Sequence, residues 1–133
     1  MNAERMKRLT ARFYRTQADN QPARQWLLGL EPEDRKTVGA DMATVEFGWP
    51  IGMPVCRPVG RLGLREIRST IRDGKVEARV IFGIDGQEMI VLHGFEKKPS
   101  RQDNEIAAAE DRWRDYKRRK EQEHGKARKT PRG

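Results

Sequence analysis

Two Asp-Gly dipeptides, Asp73-Gly74 and Asp85-Gly86, divide the middle of the chain into three apolar-rich runs: 64–71, 76–84 and 87–95. Asp-Gly between alternating apolar residues is a strong local signal for a tight hairpin, because the favoured turn needs positive φ at its central positions. The segment therefore reads as an antiparallel meander of three strands. A two-residue loop at Asp73-Gly74 sets Ile67 opposite Val80, Ile71 opposite Val76 and Arg68 opposite Arg79. The second turn leaves two registers open. A two-residue loop at Asp85-Gly86 puts Arg79 opposite Leu92 and sends His93 to the other face. A three-residue loop with a left-handed Gly86 and a bulge puts Arg79 opposite Val91, with His93 on Arg79's face. The second register also unites Val80, Phe82, Ile90 and Leu92 in one core, and is preferred.

Residues 11–17 have the aromatic content of a short strand. Asn20 is placed to cap a helix whose first turn holds Pro22 and whose apolar positions are Ala23, Trp26, Leu27 and Leu30. Pro32 starts a second helix, with Glu33 and Asp34 in its first turn and Val38, Met42 and Val45 on one face. From Gly48 the prolines and glycines of GWPIGMPVCRPVG predict an ordered loop around a buried Trp49. After Lys97-Lys98-Pro99 a last helix is expected, with Ser100 or Asp103 near its start and Ile106, Ala109, Trp113 and Tyr116 on one stripe. This order predicts an α+β fold: an antiparallel sheet of the N-terminal strand plus the meander, two N-terminal helices on one face, and a C-terminal helix. The other sheet face is expected to be partly open.

A chain of 133 residues allows one compact domain, taken as residues 1–122, with a basic tail at 123–133 that reads as solvated and disordered. Its formal net charge of +8 favours a polyanionic partner, nucleic acid or ribosome. Most of that excess lies from Lys117 onward and adds attraction for phosphate without selectivity. A second basic concentration runs from Arg57 to Arg79, whereas Glu31 to Glu46 is net acidic. The single cysteine, Cys56, excludes an internal disulfide and a cysteine-based zinc site, and reads as a reduced, partly buried thiol. With no apolar run near the roughly 18 residues of a membrane span and no secretory h-region, a cytoplasmic protein is expected.

Directly opposed arginines normally destabilise a sheet by a few tenths of a kcal/mol or more, so Arg68 facing Arg79 suggests an anion site. A plainer reading, in which Glu66 neutralises the pair as an ordinary surface network, stands beside it. His93, Phe95, Lys97 and Lys98 bring an imidazole, an aromatic plane and two ammonium groups to the end of the third strand.

Several segments in this order resemble the RelE/ParE-like toxins, and specifically their phage-derived HigB-like branch. They are Glu46-Phe47-Gly48-Trp49-Pro50, Gly63-Leu64-Arg65-Glu66-Ile67-Arg68, Arg79-Val80-Ile81-Phe82 and His93-Gly94-Phe95-Glu96-Lys97-Lys98, followed by Ile106 and Ala107-Ala108-Ala109. The resemblance implies a metal-independent endoribonuclease, without cofactor, that cuts mRNA on the ribosome and is neutralised by a helix-turn-helix, HigA-like antitoxin. The residue chemistry is compatible with this: Arg68, Arg79, His93, Lys97 and Lys98 are the expected catalytic residues, and Arg65, Glu66 and Phe95 the expected substrate contacts. Such cleavage needs a base for the ribose 2′-hydroxyl, cations for the phosphorane and an acid for the leaving oxygen. Lys97, Lys98, Glu66 and His93 are all candidates for the base. A lysine would need neighbouring cations to lower its pKa by about three units. The only other histidine, His124, falls in the expected tail, and Tyr116 fits the helix stripe as core. A non-catalytic RNA-, ribosome- or antitoxin-binding module is the second reading, and a gyrase-directed ParE-like toxin the third.

Overall fold

The computed structural model describes residues 6–98 and 102–129, with side chains to residue 125. The elements in chain order are β1 (Thr10–Phe13), α1 (Pro22–Leu28), α2 (Pro32–Gly48), β2 (Cys56–Val59), β3 (Leu64–Ile71), β4 (Val76–Asp85), β5 (Glu88–Glu96) and α3 (Gln102–Lys129). The fold is α+β, with two N-terminal helices, a sheet and a C-terminal helix. The sheet order is β1-β5-β4-β3-β2.

Three features of the sheet depart from expectation. First, β1 runs parallel to β5, with Ala11 beside Met89 and Phe13 beside Val91, so the sheet is mixed. Second, the proline-rich loop contains β2, which pairs with β3 through Cys56 with Ile67 and Arg57 with Glu66. As an edge strand β2 tolerates Pro58, which has no N–H to give to a ladder. Third, both faces are covered. Ile67, Ile71, Val80, Phe82, Met89 and Val91 pack with Val38, Met42 and Val45 of α2, while Leu64, Ile81, Ile90 and Leu92 pack with Ala109 and Trp113 of α3. The uninterrupted apolar run Met89–Leu92 is what a strand buried on both faces requires.

The β3–β4 register is as expected, with Arg68 opposite Arg79 and Ile71 opposite Val76. Asp73 and Gly74 take the positive φ that the turn needs. The β4–β5 register matches neither expectation. Asp85 pairs with Glu88, so the loop is Gly86-Gln87, and Arg79 lies opposite Phe95 instead of Val91 or Leu92. The ladder shifts between Ile81 and Phe82: Phe82 faces Val91 and Ile81 faces His93, leaving Leu92 as the extra residue of a bulge. His93 therefore does share Arg79's face, but through a bulge inside the strand. Ile90 and Leu92 consequently pack under α3, and do not join Val80 and Phe82 in one cluster.

The bulge also turns Gly94 toward α1, where the ring of Trp26 occupies the space of a side chain. A Cβ on Gly94 would lie 2.2 Å from that ring, and one on Gly83 would lie 2.5 Å from the ring of Trp113 on the opposite face. Each helix is thus seated by a tryptophan on a strand glycine. Gly94→Ala and Gly83→Ala are each expected to lower stability by about 1–3 kcal/mol, the usual range for overpacking, as read from urea unfolding midpoints.

The acidic character of α2 serves the fold. Asp34 accepts from the Arg72 backbone N–H at 2.9 Å, Asp41 from the Ser69 hydroxyl, and Glu46 from the Ala11 backbone N–H at 2.8 Å. Trp49 is half-buried, its ring edge-on to Phe82 at 5.9 Å. Cys56 is fully buried, and burial pushes its thiol pKa up. α1 has no side-chain cap: its N-cap is Gln21, and the Asn20 carbonyl instead accepts from the Thr16 N–H. Among the described residues no helix is long and apolar enough to cross a membrane.

Candidate functional site

On the α3 side of the sheet, the apolar rows give way to a polar row near the start of α3. Strand alternation and register bring together Arg57 of β2, Glu66 and Arg68 of β3, Arg79 of β4 and Phe95 of β5. Glu66 is the centre of this row. Its Oε1 accepts from Arg57 Nε at 3.1 Å and lies 3.2 Å from Arg79 Nε, while Oε2 accepts from Gln102 Nε2 at 3.3 Å. Glu66 and Arg79 are sealed, with side chains 0% and 1% exposed. Arg79 also donates from Nη1 to the Ala78 carbonyl at 3.0 Å. Burial pulls the Arg79 pKa down, and the carboxylate of Glu66 pushes back. A charge pair taken this far out of water holds its partners firmly, because neither can be left alone there.

Arg79 therefore forms the floor of the site, whereas Arg68 is half-buried and forms no ion pair with a carboxylate among the described residues. One carboxylate against three guanidinium groups leaves the row net positive. Lys97 and Lys98 are exposed at the end of β5. The Lys97 backbone N–H donates to the Glu77 carbonyl at 2.7 Å, which keeps the strand end beside β4.

The other sequence-selected residues lie elsewhere or are engaged. Arg65 is on the opposite face of β3, its guanidinium carbon 5.5 Å from the centre of the Trp49 ring. Phe95 is buried in the cluster under α3 and stacks on His93, with centroids 5.4 Å apart and planes at 24°. His93 is held by two α3 residues that sequence reasoning missed. Arg112 Nη1 lies 2.8 Å from Nδ1 and also donates to the Leu92 carbonyl at 2.8 Å, and Glu105 Oε1 lies 3.3 Å from Nε2. A guanidinium only donates, so Nδ1 accepts and the neutral ring carries its proton on Nε2, facing Glu105. The bulge at Leu92 supplies both the carbonyl that Arg112 takes and the ring position. The helix spacing of Glu105 and Arg112, two turns apart, was the available signal.

Burial first, and Arg112 second, hold the His93 pKa below the ordinary 6.5. The sign follows: as pH falls through 6.5, unfolded chains gain a proton that the folded chain refuses, so stability falls until the folded pKa is reached. The urea midpoint is expected to decline from about pH 7 to pH 5, and His93→Gln is expected to flatten that slope.

A mixed five-stranded sheet between helices, bearing an arginine row on one face, defines a RelE-like α+β protein. The chain matches the family of phage-derived Gp49-like proteins (DUF891) over residues 25–114 and belongs to that family, part of the RelE/ParE-like toxin superfamily. The match runs from α1 into α3 and includes every residue of the arginine row. No curated protein matches the chain.

Proposed function

We propose that this protein is a HigB-like toxin of a type II toxin–antitoxin system and acts as a ribosome-dependent, metal-independent mRNA endoribonuclease. The observation that carries this reading is the in-register opposition of Arg68 and Arg79 across β3 and β4, with Arg79 held beneath by Glu66. Arg68 binds the scissile phosphate through its planar fork. Arg79 adds positive potential from the floor without touching RNA, because it is sealed. The 2′-oxygen attacks phosphorus, its proton passes to a base, and the 5′-oxygen leaves with a proton from an acid. Lys97 and Lys98 are the exposed groups assigned to proton transfer and to the charge of the phosphorane. His93, bonded at Nδ1 to Arg112 and with Nε2 3.3 Å from Glu105, is a positioning residue that ties β5 to α3 and stacks Phe95.

The partners that follow are mRNA on the ribosome and a helix-turn-helix, HigA-like antitoxin presenting acidic groups to the arginine row, in the cytoplasm. Primer extension on translating ribosomes tests the activity. New mRNA ends are expected with the wild-type chain, at a rate about 100-fold lower in Arg68→Ala, as for loss of one transition-state donor, and absent in Arg68→Ala/Lys97→Ala. The sealing of Glu66 and Arg79 favours a second reading, a non-catalytic RNA- or ribosome-binding module. Growth arrest or ribosome binding without new ends would establish that one.

A further inference from the structure

We infer that Arg57 is a second phosphate-binding arginine, clamping one phosphodiester together with Arg68; this rests on the RNA-directed reading above. Arg57 stands on β2, opposite Glu66, and Arg68 is two residues further along β3 on the same face. Such diagonal neighbours lie about 7–8 Å apart, within reach of long side chains around one phosphate. Only Nε of Arg57 is committed, to Glu66 Oε1 at 3.1 Å, and no other carboxylate among the described residues pairs with it. Its side chain is 38% exposed while that of Glu66 is completely sealed, so the outer edge of the fork meets solvent.

The arrangement divides the guanidinium between two tasks. The inner edge is anchored on a carboxylate that is itself held by Arg79 and Gln102. The outer edge keeps two donating nitrogens, already oriented, so less freedom is lost when an anion binds. Glu66 carries one negative charge against the two guanidinium groups of Arg57 and Arg79, and the surplus positive charge lies toward the exposed part of Arg57. An anion is the ligand that this excess accepts, and a phosphodiester supplies the two oxygens that a fork matches.

The test uses the full chain and a fluorescein-labelled twelve-nucleotide single-stranded RNA, with affinity measured by anisotropy across a salt series. Each phosphate contact contributes about 0.7 to the slope of log affinity against log salt. Arg57→Gln keeps an amide that can donate to Glu66 but removes the charge, and is expected to weaken binding about tenfold and reduce the slope by about 0.7. Arg57→Lys is expected to keep the slope and lose affinity severalfold, since the anchored fork is gone. Near-UV circular dichroism reports the fold of each variant. A folded Arg57→Gln with the wild-type slope, or a wild-type chain that does not bind the RNA, overturns the inference. Primer extension separates it from the nuclease reading. A wild-type chain that binds RNA without cutting loses the nuclease reading and leaves the salt slope to decide on Arg57.

Discussion

Glu66→Ala is expected to lower the folding free energy by about 3–5 kcal/mol, the cost of leaving a buried charge without its partner. Arg79 would remain buried on β4 with, among the described residues, the Ala78 carbonyl as its hydrogen-bond acceptor, while Arg57 would lose its anchor. Against a total stability of about 5–15 kcal/mol, such a loss removes a large part of the margin. Urea unfolding monitored by tryptophan fluorescence measures it directly. The companion experiment separates charge from packing: Glu66→Leu/Arg79→Met removes both charges at similar volume and is expected to recover most of the loss. If the single substitution costs less than about 1 kcal/mol, water reaches the pair, and the picture of a sealed floor fails.

Trp113→Ala is expected to cost about 3–5 kcal/mol, in the range for deleting a buried tryptophan. Trp113 sits against Gly83 of β4 and stacks on Tyr116 at 5.5 Å with planes 7° apart. Because Gly83 has no side chain, no neighbour on the strand fills the space that the ring leaves. The contacts joining α3 to Leu64, Ile81, Ile90 and Leu92 would loosen together, and with them the hold of Arg112 and Glu105 on His93. Amide exchange should therefore rise along α3 before the rest of the chain opens. Uniform protection in the variant, with an unchanged urea midpoint, would mean that α3 is held by its ion pairs instead, for example Lys120 with Asp85.

How legible each part was depends on how local its cause is. The Asp73-Gly74 turn set the β3–β4 register correctly, because the local positive-φ run Arg72-Asp73-Gly74 is enough to reverse the chain there. The next hairpin was misjudged in both of the registers considered. Its loop is displaced by one residue, and the bulge at Leu92 follows from packing: Trp26 needs Gly94 on the α1 side, and Arg112 takes the Leu92 carbonyl on the other. The α3 stripe of Ile106, Ala109, Trp113 and Tyr116 was visible, but a stripe does not say which surface it covers. β2 was hidden because proline and glycine argue for a loop unless a neighbouring strand is present to pair with, and Arg57 was missed with it. Arg65, expected beside Glu66 as a substrate contact, lies on the other face because neighbouring strand residues point to opposite sides.

Turn chemistry, periodicity and charge thus determined the elements other than β2, the α+β class and the opposition of Arg68 and Arg79. Only the tertiary structure decided which of the selected groups meet water: Arg79, Glu66 and Phe95 are sealed, His93 is clamped by α3, and Arg57, Arg68, Lys97 and Lys98 remain accessible. The reason is physical. A strand's register is written in a few adjacent dihedral angles, whereas burial sums over surfaces brought together from β2 to α3, and no local pattern encodes that sum.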